Sequence, residues 1–185
     1  GRVHGPKRSI SLADAAGRAV GSRGAVIGRA ALSDLPFAVA VAAQVAEVEV
    51  DTETGEWRLT RLSCAQDVGF AINPMSVEGQ IEGAASQGLG YALCEEFVYD
   101  DDGRLLNSDF MDFRMPTSLD HPEFAVDLIE DRLDSGPYGA KGVGEPPLVP
   151  TAPAIANAIF DAVGVRLRTI PITPERLHRE LKRAD

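Results

Sequence analysis

Residues 45–62, VAEVEVDTETGEWRLTRL, decide the fold. Val48 and Val50 alternate with Glu47, Glu49 and Asp51, the period-two pattern of a half-buried strand. Thr52-Glu53-Thr54-Gly55 supplies a turn with glycine at its last position, and Trp57, Leu59 and Leu62 begin a return strand, so the stretch reads as a β-hairpin. Strand character begins upstream at Pro36, where Val39 and Val41 alternate with alanines. The change of parity between that pair and the set Val45, Val48 and Val50 predicts a bulge. Downstream, Asp101-Asp102-Gly103 is a second turn, between Phe97-Val98-Tyr99 and Leu105-Leu106, and residues 124–131 alternate as a further strand. The acidic run at that turn is not a calcium loop, because Val98 stands where the first ligand would be needed.

Three helices follow from capping signals. Asn73 caps and Pro74 opens one that runs towards Leu93. Thr151 caps a second over Ala152 to Val163, stopped by Gly164. Thr173 and Pro174 open a third, with Leu177 and Leu181 on one face. Strands and helices mix without strict alternation, so the expected class is α+β, a mixed or antiparallel sheet with hairpins packed against a Gly-rich helix and a buried apolar helix. No internal repeat is visible.

A length of 185 residues allows one domain, or one with a small appendage. The formal charge of −10 repels phosphate backbones and argues against a nucleic-acid partner. Hydrophobic residues at 44% leave enough apolar material for a core, which excludes disorder over most of the length. The apolar stretches 36–46 and 148–163 are too short for the roughly 20 residues of a membrane span. Two cysteines, Cys64 and Cys94, are too few for a disulfide scaffold or a zinc site; they read as small core hydrophobes and fit a reducing compartment. Residues 1–32 hold six Lys and Arg side chains and one acid, a net +5 that leaves −15 to the rest. The expected organisation is a basic, Gly-rich N-terminal arm over residues 1–36, with one short helix over Ser9 to Arg18, and a main unit over 37–185. The chain starts at Gly1 without a leader pattern, and that start is not expected to be the start of a gene product.

Common site motifs are missing: no G-x-x-x-x-G-K-[ST], G-x-S-x-G, H-E-x-x-H or C-x-x-C. His4, His121 and His178 lie far apart and read as surface or capping side chains, and no residue set is read as a metal ligand. Two segments remain. The helix from Pro74 contains Gly79, Gly83, Gly88 and Gly90, and at ~1 kcal/mol each these cost the helix about 3 to 4 kcal/mol relative to alanine. Gly79, Gly83 and Gly90 fall along one side, with Gln80 and Gln87 two turns apart beside them. Such a face suits either tight helix packing or the close approach of a flat, hydrogen-bonding ligand. The second segment is residues 136–147, GPYGAKGVGEPP. Its glycines can turn amides towards an anion, with Lys141 adding a cation. Glu145, between Gly144 and two prolines, has few backbone conformations open to it, as a positioned proton acceptor requires; an incidental acid on a surface loop is the alternative.

The strings Asp67-Val68-Gly69-Phe70-Ala71-Ile72-Asn73-Pro74, Glu78-Gly79-Gln80-Ile81-Glu82-Gly83 and Gln87-Gly88-Leu89-Gly90 resemble a known family. So do the hairpin at 45–59 and the loop at 136–147. In this order they resemble the C-terminal part of the molybdenum-binding subunit of the xanthine dehydrogenase and aldehyde oxidase family, over Phe37 to Leu177, with residues 1–36 matching loosely. The resemblance implies a molybdenum hydroxylase that inserts a water-derived oxygen into an aldehyde or N-heterocycle. It implies a molybdopterin-bound molybdenum, in the cytosine dinucleotide form, with electrons leaving through iron–sulfur centres to FAD or another acceptor. Glu145 aligns with the family's essential glutamate, whose role is to take the proton from the metal-bound hydroxyl as its oxygen attacks the substrate carbon. Lys141, Gly142, Val143 and Gly144 match the loop at metal and pterin, and Gln80, Gly83 and Gln87 are further candidates for cofactor contact.

The family's subunit is several times longer, and its upstream cofactor segments have no counterpart in this chain. The expected partners are therefore the remaining part of the molybdenum-binding subunit, iron–sulfur and FAD subunits, and a small-molecule substrate, in the cytoplasm. No cysteine motif for iron–sulfur clusters is present. Two rival readings stand: a non-catalytic assembly module derived from the family, and a phosphate- or nucleotide-binding module built on Gly139 to Gly144.

Overall fold

The structure is a computed structural model that describes residues 1–25, 27–31 and 37–184. The chain forms two compact units, Gly1–Leu35 and Pro36–Asp185.

In the first unit β1 (Arg2–His4) pairs antiparallel with β2 (Ser9–Ser11), and α1 (Leu12–Arg23) follows directly. This corrects the expected helix over Ser9 to Arg18. Ser9–Ser11 is taken up as a strand, and the helix begins only where the Ser11 hydroxyl can accept the Asp14 amide at 3.0 Å. It then runs past Arg18 to Gly24, whose φ of 83° ends it.

The second unit is built on β3 (Ala42–Val50), β4 (Trp57–Asp67) and β5 (Glu123–Ile129), in that order across one sheet. β3 and β4 are the antiparallel hairpin, and β5 lies parallel to β4. At the hairpin turn the Asp51 carboxylate accepts the Glu53 and Thr54 amides at 2.8 and 3.3 Å. Gly55, at φ 79°, closes the turn where a Cβ would meet the carbonyl of Pro174 at 2.3 Å. The bulge is present but on the other strand. Inward positions of β3 keep strict parity from Ala42 to Val50, and Val45 points outward, 69% exposed. The register breaks where Glu47 faces Arg61 and Val48 faces Leu59, so Thr60 of β4 is the extra residue, its hydroxyl donating to the Glu47 carbonyl at 2.9 Å. The parity change from Leu59 to Leu62 is its mark in the sequence.

The turn after Tyr99 forms as expected, with the Asp100 carboxylate accepting the Asp102 and Arg104 amides. Its flanks do not become strands; they share the bridge Tyr99–Leu105, and the Asn107 side chain accepts the Val98 amide at 2.9 Å and donates to the Glu96 carbonyl at 2.6 Å.

α2 (Pro74–Leu93) starts at Asn73, whose side chain accepts the Ser76 amide at 3.3 Å. α3 (Thr151–Val163) is capped by Pro150, correcting Thr151 as the cap. Thr151 lies inside the helix because its hydroxyl donates instead to the Pro147 carbonyl at 3.2 Å. Gly164, left-handed at φ 74°, ends α3, and α4 (Pro174–Ala184) buries Leu177. Leu62 of β4, Ile81 and Leu89 of α2, and Ile155 and Ile159 of α3 are fully buried in one core between sheet and helices. The class is α+β. Among the described residues no helix is long and apolar enough to cross a membrane.

Candidate functional site

Beyond β4 the chain turns sharply at Gly69, φ 67°. A Cβ there would meet the Gly139 carbonyl at 2.3 Å, so only glycine lets the 136–147 loop pass over this turn. The crossing is tied by the Lys141 amide, which donates to the Val68 carbonyl at 2.9 Å, and by the guanidinium of Arg132 over the Phe70 ring at 4.1 Å. The Lys141 ammonium does not face outward. Its side chain is 9% exposed and donates to Asp67 at 2.6 Å, with Asp131 at 3.8 Å. Burial would raise the Asp67 carboxyl, but the Lys141 ammonium and the Gly69 amide outweigh it and hold the group below 3.8. The hydrogen bond to Asp67 holds Lys141 above 10.5, against the opposite pull of burial. What the loop turns outward beyond Lys141 is therefore backbone: Gly142 and Gly144 are exposed, and a Cβ on Gly142 would meet nothing within 4 Å.

Glu145 is exposed and leads into a tight 3-10 turn, Pro146–Leu148, in which the Leu148 amide donates to the Glu145 carbonyl at 3.0 Å. Pro147 is buried, and its carbonyl accepts two donors, the Gln44 amide at 2.6 Å and the Thr151 hydroxyl. Thr151 can approach because α2 has glycine at 88; a Cβ there would lie 2.5 Å from the Thr151 Cβ. The Glu145 side borders a depression of about 440 Å³ that Ala42, Val149 and Pro150 also line.

The four glycines of α2 divide. Gly88 packs against Thr151, and the space beside Gly90 is filled by the Glu95 carboxylate. Gly79 and Gly83 alone are exposed with nothing within 4 Å of a would-be Cβ. Tight packing and an open face thus both occur on this helix, at opposite ends. Gln80 reaches the loop: its Oε1 lies 3.7 Å from where a Cβ on Gly144 would stand. Gln80, Lys141 and Val143 line one groove of about 250 Å³ with Val68, Phe70 and Asn73. Gly83 and Gln87 continue along the helix, and the Gln87 amide donates to the Tyr91 hydroxyl at 3.2 Å.

The chemistry of these residues is compatible with contact to a pterin. Bare backbone at Gly79, Gly83 and Gly142 admits a flat ligand, and the Gln80 amide can hydrogen-bond its edge. Among the described residues, no group of three or more His, Cys, Asp or Glu side chains could hold a metal ion directly. His121 contacts the Thr117 carbonyl at 2.8 Å, and His178, half-buried rather than on the surface, has Nδ1 buried without a partner among the described residues. Sequence reading missed Asp67 as the partner of Lys141, and Gln44. The available signal for Gln44 was a polar residue at an inward position of an otherwise apolar strand face.

The family model for the molybdopterin cofactor-binding domain matches residues 1–122. The chain belongs to this family. The match runs through residues 1–36, further than the motifs reached, and stops before the 136–147 loop. The chain is 41% identical over 134 residues to the 6-hydroxypseudooxynicotine dehydrogenase complex subunit gamma of Paenarthrobacter nicotinovorans, covering 71% of this chain and 17% of that one. It is 37% identical to the xanthine dehydrogenase molybdenum-binding subunit of Escherichia coli O157:H7, covering 72% of this chain and 18% of that one. Among solved structures, quinoline 2-oxidoreductase from Pseudomonas putida 86 superposes with a TM-score of 0.69 at 38% identity, over 73% of this chain and 18% of that chain. The chain thus spans less than one fifth of the length of each of these three proteins.

Proposed function

We propose that this chain supplies the C-terminal, base-bearing part of a molybdenum hydroxylase that oxidises an aldehyde or N-heterocycle with water as oxygen donor. The observation that carries the reading is the anchored turn at Glu145, which holds the backbone of an exposed acid beside bare glycine backbone in a molybdopterin-binding family. When bound, molybdopterin-held molybdenum supplies the two-electron oxidation. The protein's own part is to bind, orient and take a proton. Glu145 accepts the proton of the water-derived nucleophile. Gly142, Val143 and Gly144 offer backbone to the cofactor, while Gln80, Gly83 and Gln87 present the helix edge. Lys141, neutralised by Asp67, holds the loop in place rather than binding charge.

Xanthine and quinoline in the relatives' names are N-heterocycles and support that substrate class. Names denoting subunits support partner chains. The partners assigned are the remaining part of the molybdenum-binding subunit and iron–sulfur and FAD subunits, and the compartment assigned is the cytoplasm. The cofactor form assigned is the cytosine dinucleotide. Phe110, Met111 and Leu119, 83, 89 and 94% exposed, support further polypeptide over this surface. Residues 1–36 are assigned as the arm and 37–185 as the cofactor-facing portion.

The test is Glu145→Gln in the complete enzyme, assayed with xanthine, quinoline and benzaldehyde and a dye acceptor. Molybdenum content should be retained and turnover should fall at least about 100-fold. A near-normal rate removes the base assignment, and absence of molybdenum from the wild-type complex favours the non-catalytic assembly reading.

A further inference from the structure

Gln44 occupies an inward position of β3, between Ala42 and Ala46 on the same face. Its amide nitrogen donates at 2.6 Å to the carbonyl of Pro147, 103 residues along the chain. Its Oε1 is buried without a partner among the described residues. A polar side chain held inside with its acceptor unsatisfied is costly, so the donor end is what the position uses. That donor meets the peptide two residues beyond Glu145. The Thr151 hydroxyl from α3 meets the same carbonyl at 3.2 Å, so a strand and a helix grip one oxygen from separate elements.

From this convergence we infer that Gln44 is a positioning residue for Glu145, setting the direction in which the turn presents the carboxylate. The inference rests on the proposed role of Glu145 as base. With the Gln44 bond removed, Thr151 is the remaining one of these two donors, and the Pro146–Leu148 turn, still packed on α2, loses its hydrogen-bonded tie to β3. Misplacement of a reacting group by an ångström is enough to cost about 100-fold in rate.

Two variants in the assembled enzyme test this. Gln44→Met keeps the length of the side chain and removes the donor. Gln44→His offers a ring N–H the same number of bonds from Cβ, and should restore the contact. Hydrogen exchange at the Leu148 amide, bonded to the Glu145 carbonyl, should quicken about 5- to 10-fold in Gln44→Met and recover in Gln44→His. On the panel substrate that the wild type oxidises, kcat per bound molybdenum should fall about 10- to 100-fold in Gln44→Met with KM little changed, and return with histidine. Unchanged exchange at Leu148 overturns the inference, as does a rate loss that vanishes when expressed per bound molybdenum. Glu145→Gln is assayed alongside. If it is inactive while Gln44→Met turns over normally, the positioning role fails and the base stands. If Glu145→Gln is active, the base assignment fails, and the exchange result still judges the anchor.

Discussion

Lys141 and Asp67 show how a side chain's partner decides what it can do. The sequence offers a lysine inside a glycine loop, which suits an anion, but the fold pairs it with a half-buried carboxylate and spends its charge on joining the loop to the end of β4. The pairing has two pH limits. Asp67, held below 3.8, contributes stability that is complete above that value and fades as pH falls through the lowered one. Lys141, held above 10.5, contributes stability that is complete below 10.5 and fades as pH climbs through the raised value. Thermal melts taken from about pH 5 down to pH 2 should therefore show a shallower acid decline in Asp67→Asn than in wild type, from a lower midpoint at neutrality. Identical slopes would show that the pair does not support the fold. The cysteines give a second prediction. Burial, with the Glu82 charge behind it, pushes the Cys64 thiol up to about 11, and burial also raises Cys94. At pH 8 the folded chain should react sluggishly with maleimide and gain fast labelling of both thiols only in denaturant.

Among the elements, the helix from Pro74 separates what the sequence discloses from what it conceals. Its ends were legible, since Asn73 and Pro74 are local signals. The division of its glycines was not, because what faces each one depends on how the chain folds back: Thr151, 63 residues on, meets Gly88, the Glu95 side chain turns back over Gly90, and nothing stands at Gly79 or Gly83. Substitution by alanine should report the division with opposite signs. Gly88→Ala forces a Cβ onto a fixed helix and should destabilise by about 1–3 kcal/mol. Gly79→Ala and Gly83→Ala meet no obstruction and should stabilise the chain by about 0.5–1 kcal/mol each through helix propensity, while impairing molybdenum retention in the assembled enzyme. Denaturant titration reads the first effect and metal analysis the second; a stabilised Gly83→Ala enzyme with full molybdenum would remove that helix edge from the cofactor's surroundings. The hairpin was legible for the same local reason as the helix ends. The bulge was expected from β3, yet Thr60 of β4 absorbs it, because the sequence shows a parity break without showing which strand yields.

For the molecule as a whole, class, motif order and family were readable from the chain, while the anchoring of Glu145 was not. That anchoring depends on Gln44, Pro147 and Thr151 meeting from β3, the turn and α3. No local window contains all three. The parallel pairing of β5 with β4 has a further effect, on the route by which the chain acquires its shape. β3 and β4 are separated by a short turn and can zip together from it, whereas β5 reaches its place only after the 55 residues from Val68 to Pro122 have crossed over. Stopped-flow refolding with pulse labelling should find the amides of β3 and β4 shielded before those of β5. A newly made chain would thus expose one flank of β4, a long unpaired strand, for a period in which chaperones have most to gain by covering it.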